Sequence, residues 1–137
     1  MTRLLDRYFS FSGRMARLPF FIRCLYLNIA MAVLLFASIP LLANGSRLWW
    51  WAGVAELIAS TAVFSVGIAS LFVRRLHDLG FSGYHAIWVV AADILSTALS
   101  YGPDYVLLLA LPLFAVNLWI GFWPGNRDAN RFGETPK

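Results

Sequence analysis

The chain alternates long apolar runs with short polar segments. Two of the runs contain no charged residue: 23 residues from Cys24 to Ser46, and 22 residues from Tyr105 to Asn126. A helix rises about 1.5 Å per residue, so either run is long enough to cross the roughly 30 Å hydrocarbon core of a bilayer. The pattern therefore predicts two membrane-spanning helices at these positions.

Two further apolar runs each contain one acidic residue. Glu56 lies within Leu48–Val73, and Asp93 lies within Tyr84–Tyr101. A central acidic residue adds about 2.5 to 3.5 kcal/mol to the free energy of insertion, which many apolar neighbours can offset. Both runs are therefore also predicted to span the membrane, and the four predicted spans are residues 20–42, 49–73, 84–101 and 105–123.

Short polar clusters separate these runs. Asn44-Gly45-Ser46, Gly80-Phe81-Ser82-Gly83 and Gly102-Pro103-Asp104 are all typical of turns. Short connections make successive helices antiparallel neighbours. The predicted fold is therefore all-α: an integral membrane bundle of four transmembrane helices in a single domain over residues 1–137.

A short amphipathic segment precedes the first predicted span. Its apolar residues recur at helical spacing and its arginines lie off that stripe; the apolar residues are Leu4, Leu5, Tyr8 and Phe9. This pattern is typical of a helix that lies in the headgroup region, where it most often serves as an anchor.

The composition agrees with a membrane protein. Of the residues, 60% are hydrophobic and 13% are charged, whereas soluble proteins have about 25% charged residues. Disordered chains are excluded on the same grounds, because they are poor in apolar residues. The single Cys24 excludes a disulfide within one chain.

The basic residues predict the orientation. One side of the predicted bundle has only Arg47, and the other side has Arg3, Arg7, Arg14, Arg17, Arg23, Arg74, Arg75, Arg127, Arg131 and Lys137. Loops rich in Lys and Arg stay in the cytoplasm. We therefore expect a multi-pass protein of the bacterial inner (plasma) membrane with both termini in the cytoplasm.

Three motifs gather polar residues at the predicted cytoplasmic face. Guanidinium groups bind phosphate bidentately, and basic pockets on this face can hold anionic lipid headgroups. The candidate anion-binding residues are Arg14, Arg17, Arg74, Arg75, His77, Asp78, Arg127, Asn130 and Arg131. We expect the arginines to contact a lipid phosphate or a protein partner, and the other residues to orient them.

A purely structural interpretation of the second motif is also open. Arg74 and Asp78 are four residues apart and can form an ion pair on one helix face. Gly80 can then adopt the left-handed conformation that ends a helix. The motif would in that case be a corner at the membrane surface with no ligand.

Glu56 and Asp93 form a second candidate site. Counted from the outer ends of adjacent predicted spans, both lie roughly 10 to 12 Å deep in the bilayer. Ionisable residues within spans are often functional. A proton shared between these two carboxyl groups would suit an oligomeric ion or proton channel. The alternative is a protonated carboxyl that links two helices by a hydrogen bond.

Enzymatic function is not expected. His77 and His85 are eight residues apart, with no Cys or carboxylate pattern of known ligand spacing around them, so neither a metal site nor a cofactor is predicted. No catalytic set of nucleophile, base and stabiliser is present. The basic pI of about 9.7 follows from the topology and does not indicate nucleic-acid binding. We expect a homo-oligomer or attachment to another membrane protein.

The three cytoplasmic motifs resemble a known family. Arg74-Arg75-Leu76-His77-Asp78 followed by Ser82-Gly83-Tyr84, together with Gly13-Arg14 and Asn130-Arg131-Phe132-Gly133, is similar to the bacterial inner-membrane family called domain of unknown function 805, the YhaH-like proteins. Tyr84 is a departure, because the family often has Trp there. The resemblance implies a four-helix inner-membrane protein and supplies no activity, substrate or catalytic residue.

Overall fold

The structure, a computed structural model, describes residues 2–89, 91 and 106–136. Its named helices are α1 (Thr2–Phe9), α2 (Arg17–Ala43), α3 (Arg47–Asp78) and α4 (Val106–Phe122). Residues 85–89 are also helical. These described ranges contain no strand, only an isolated bridge between Asn130 and Gly133. The prediction of an all-α protein is therefore confirmed.

Helices α2 and α3 are long and apolar enough to cross a membrane. They have 27 and 32 residues, and only 6% and 22% of their most apolar windows are buried within the chain. Apolar side chains that the protein itself leaves uncovered fit a lipid environment. The structure thus has two candidate membrane spans among its described helices.

Two glycines let α2 and α3 approach closely as an antiparallel pair. Gly53 packs against Leu42 near the end of α2, and Gly67 packs against Leu27 nearer its beginning. A Cβ at either glycine would lie 3.0 to 3.1 Å from these leucine side chains. Small residues at such contacts bring helix backbones together, so the two helices pack along much of their length.

Side chains of α3 donate hydrogen bonds to the last carbonyl groups of α1 and so attach the two helices. The Ser70 hydroxyl donates to the carbonyl of Tyr8, and the Arg74 guanidinium donates to the carbonyl of Arg7. Carbonyls at a helix C-terminus have no partner within the helix. The end of α1 is therefore satisfied by α3 rather than by water alone.

The best-packed region lies where α2 begins and where α3 and α4 end. One cluster contains Met15, Phe20 and Leu71. A second cluster, which includes Leu76 and Ile120, lies beside it on α3 and α4. The tertiary core is thus concentrated at the end of the molecule that carries the three basic motifs.

The structure describes only part of the predicted third span. Its first residues are helical at 85–89, whereas Asp93 lies outside the described residues. The pairing of Asp93 with Glu56 therefore stays a prediction.

Candidate functional site

Helix α3 ends in a hydrogen-bonded glycine motif at the centre of the site. The Gly80 amide donates to the carbonyl of His77 at 3.1 Å, and the Phe81 amide donates to that of Leu76 at 2.9 Å. Gly80 has a φ of +86°, in the left-handed region that glycine adopts most readily. The predicted helix stop at Gly80 is confirmed, and Asp78 is the last residue of the helix that it ends.

Asp78 is the buried anion of the site. Only 3% of the residue is exposed. Its Oδ1 accepts hydrogen bonds from Arg14 Nε at 3.1 Å and Nη2 at 3.0 Å, and its Oδ2 accepts one from Arg75 Nη1 at 2.6 Å. A carboxylate between two buried arginines compensates part of their charge in a region that excludes water.

The partner of Asp78 differs from the one predicted by spacing. Arg74 was the expected partner, four residues away, yet Asp78 pairs with Arg75 and with Arg14. Arg74 lies on the side of α3 that faces α1, where its guanidinium contacts the carbonyls of Arg7 and Ser70. The prediction of an Arg74–Asp78 ion pair is therefore wrong.

Arg75 caps the end of α4. The residue is fully buried, and its Nε donates to the carbonyl of Ile120 at 2.9 Å. Its Nη2 donates to the carbonyls of Gly121 and Trp123. These last carbonyls carry the negative end of the helix dipole and lack partners within the helix. Arg75 thus satisfies the end of α4 and binds Asp78 at the same time.

Arg14 holds the C-terminal tail, residues 124–136, against this network. Its guanidinium donates to the carbonyls of Asn126 and Asp128, the latter at 2.7 Å. The tail is also bonded directly to α3, because the Asn126 amide donates to the carbonyl of Asp78 at 2.8 Å. Arg14, Arg75 and Asp78, which we call the buried triad, therefore join the N-terminal segment, α3, α4 and the tail.

His77 and Asn130 belong to a second contact between α3 and the tail. The His77 ring stacks on Phe132 with 3.9 Å between centroids and a 6° angle. Its Nδ1 lies 3.1 Å from the carbonyl of Gly13. Asn130 Nδ2 donates to the carbonyl of His77 at 2.9 Å, and Asn130 Oδ1 accepts from the Phe132 amide. The sequence analysis did not predict Phe132 as a site residue. Its position in the Asn-Arg-Phe-Gly motif is the sequence feature that could have indicated it.

The remaining predicted arginines lie at the surface of this region. Arg17 and Arg127 line one cleft of about 280 Å³, together with Asp78, Gly125 and Asn126; we call it the tail cleft. Both arginines are exposed, and Arg17 donates one hydrogen bond, to the carbonyl of Phe122 at 3.3 Å. The Arg131 guanidinium lies 4.7 Å from the centre of the Phe132 ring. The nine predicted residues therefore do not share one ligand pocket.

Gly125 lies against the triad with no room for a side chain. A Cβ at this position would overlap the Asp78 carboxylate. We expect Gly125→Ala to lower the free energy of unfolding by about 1 to 3 kcal/mol, because the tail must move off α3. Thermal unfolding in detergent measures this, with Ala129→Ser, a change at an exposed residue of the same tail, as the control. A Gly125→Ala variant with the same unfolding temperature as wild type would show that the tail does not pack on Asp78.

Comparison with known proteins adds one finding. A family model described as "Protein of unknown function (DUF805)" matches residues 8–134. This range includes the buried triad and all residues of the tail cleft except Thr135 and Pro136. No curated protein and no solved structure matches the chain.

Proposed function

The chain belongs to the DUF805 family of proteins of unknown function, and we propose that it is a non-enzymatic inner-membrane protein that binds anionic lipid headgroups. We propose four transmembrane helices with both termini in the cytoplasm. The binding region in this proposal is the tail cleft at the basic end of the molecule. The buried triad holds that region in place.

Charge and fold together support this topology. The contacts of Arg14 and Arg75 bring the N-terminal segment, the end of α3 and the end of α4 to one face. The residues at this face include most of the basic residues of the chain, whereas Arg47 begins α3 at its far end. The positive-inside rule assigns such a face to the cytoplasm.

The tail cleft is the observation that carries the proposal. Arg14 and Arg75 donate their hydrogen bonds to Asp78 and to backbone carbonyls. Arg17 and Arg127 are exposed and line the same cleft. Ligand contact therefore falls to these two residues, and the triad positions the helix ends and the tail that carry them.

The location of the cleft favours a lipid phosphate. Arg17 is the first residue of α2, a candidate span, so its guanidinium lies at the depth where headgroups begin. The exposed aromatic rings of Phe122 and Trp123 are at the end of α4 on the same face, and aromatic residues prefer the membrane interface. Two arginines at this depth suit a phosphate, which accepts paired hydrogen bonds.

The double variant Arg17→Gln with Arg127→Gln tests the proposal. We expect about a tenfold loss of affinity for phosphatidylglycerol, because two guanidinium contacts to phosphate are removed. The measurement is native mass spectrometry of the chain from mixed phosphatidylglycerol and phosphatidylethanolamine, which counts the retained lipids of each kind.

Arg47→Gln is the matched control, since it removes one arginine at the opposite end of α3. It should keep the wild-type number of phosphatidylglycerol molecules. Equal retention by the double variant and the wild type would overturn the lipid proposal and direct attention to a protein partner. A thermal unfolding curve for each variant separates loss of binding from loss of folding.

A further inference from the structure

A groove between α2 and α3 contains an ionisable residue. Its volume is about 330 Å³, and its lining includes Leu27, Ala30, Met31, Glu56, Ser60 and Phe64. All of the lining residues except Glu56 and Ser60 are apolar. Because α2 and α3 are the candidate spans, this groove lies within the membrane part of the chain.

The Glu56 carboxyl has no hydrogen-bond partner among the residues that the structure describes. Both of its oxygens are buried, and Asp93, its predicted partner, lies outside those residues. The nearby Ser60 hydroxyl is engaged elsewhere, because it donates to the carbonyl of Leu57 at 3.1 Å. A buried polar group without a partner raises the free energy of the folded state. Such a group within a membrane span is the usual mark of a binding or transport site.

The groove is separate from the tail cleft. Glu56 lies 22 residues before Asp78 in α3, which places the two roughly 30 Å apart along the helix axis. The charged groups also differ, since the tail cleft has the exposed Arg17 and Arg127 beside an ion-paired Asp78, whereas the groove has one carboxyl group. A ligand of the groove is therefore chemically different from a lipid phosphate.

We propose that the groove binds a lipophilic ammonium ion, that is, a protonated amine attached to an apolar chain. The ammonium N–H groups donate to the two Glu56 oxygens, and the apolar chain lies against the leucine, alanine and methionine side chains of α2. The combination of one unpaired acid with apolar walls selects this class by charge and by hydrophobic contact. Neither a fatty acid nor an alcohol supplies a positive charge to pair with the acid.

The entry route follows from the exposed surface of α2. Ile29, Val33 and Leu34 remain 41% to 61% exposed on this helix, so the walls of the groove border the lipid-facing surface. An amphiphile dissolved in the bilayer can reach Glu56 from the side, without crossing the cytoplasmic face. The chain therefore recruits its ligand from the membrane itself.

Binding of tritiated decylamine tests this site. The chain is placed in nanodiscs of neutral phosphatidylcholine, so that anionic lipid does not concentrate the amine, and binding is measured by scintillation proximity against empty nanodiscs. Wild type should bind saturably, with decanol failing to compete. We expect Glu56→Gln to weaken binding at least tenfold, because the acid that pairs with the ammonium ion is gone.

Two further variants make the result specific. Glu134→Gln removes an exposed acid of the tail and should bind decylamine as wild type does. Ala30→Leu keeps Glu56 but fills part of the groove, and it should also weaken binding. Saturable binding that Glu56→Gln leaves unchanged, or wild-type protein with a normal unfolding transition and no saturable binding, would overturn the proposal.

Discussion

Asp78→Asn is expected to lower the free energy of unfolding by about 3 to 5 kcal/mol. The substitution removes the negative charge that faces both Arg14 and Arg75. Both guanidinium groups are buried, with side-chain exposures of 1% and 0%, so water cannot replace the lost partner. Breaking a buried ion pair from one side has this magnitude because a charge is left uncompensated.

Chemical or thermal unfolding in detergent, followed by tryptophan fluorescence, measures the change. Asp128→Asn is the matched control, since it is the same substitution at an exposed residue of the tail; it should fall within about 0.5 kcal/mol of wild type. If the two variants have equal stability, Asp78 does not hold the buried triad together.

Arg75→Lys is expected to have the second largest effect, a loss of about 3 kcal/mol. Lysine keeps the charge but loses the planar set of donors. Arg75 uses these donors on the carbonyls at the end of α4 as well as on Asp78, and buried carbonyls without a donor destabilise the fold by about 1 to 3 kcal/mol each.

Unfolding of Arg75→Lys is compared with that of Arg127→Lys, in which an exposed arginine is replaced in the same way. A stability equal to that of this control would mean that charge alone matters at position 75. The double variant of Arg75→Lys and Asp78→Asn should lose less stability than the sum of the single variants, because the two residues share a contact.

The helices could be predicted from the sequence because the patterns that indicate them are local. The charge-free run that begins at Cys24 predicted a helix, and the structure has α2 over Arg17–Ala43. The helix stop at Gly80 was predictable for the same reason, since glycine is the residue that adopts a positive φ without strain. Apolar periodicity and turn residues carry this information within a few positions.

The contacts of the site did not follow from the sequence, because they depend on tertiary packing. Spacing on one helix favoured Arg74 as the partner of Asp78, but the Arg74 guanidinium donates instead to the carbonyls of Arg7 in α1 and Ser70. Arg14 is 64 positions away from Asp78, and no local pattern relates them. Every residue has a backbone carbonyl group, so the residue types do not indicate which carbonyls accept hydrogen bonds. The bonds that Arg14 and Arg75 donate to carbonyls could therefore not be predicted.

The separation of binding residues from positioning residues also required the structure. Sequence placed Arg14, Arg17, Arg75 and Arg127 together as equivalent cations. Burial distinguishes them, because Arg75 is enclosed whereas Arg17 and Arg127 remain exposed beside one cleft.

The attachment of the tail to Arg14 has a consequence for biosynthesis. Arg14 and its acceptor Asn126 are separated by 112 positions, so the ribosome must translate nearly the whole of this sequence before the contact forms. Until then Arg14 lacks its carbonyl partners, and Arg75 lacks those of Ile120 and Trp123. A nascent chain that stops before residue 120 therefore has the ion pairs with Asp78 available but lacks these carbonyl acceptors, so the network is completed only late in translation.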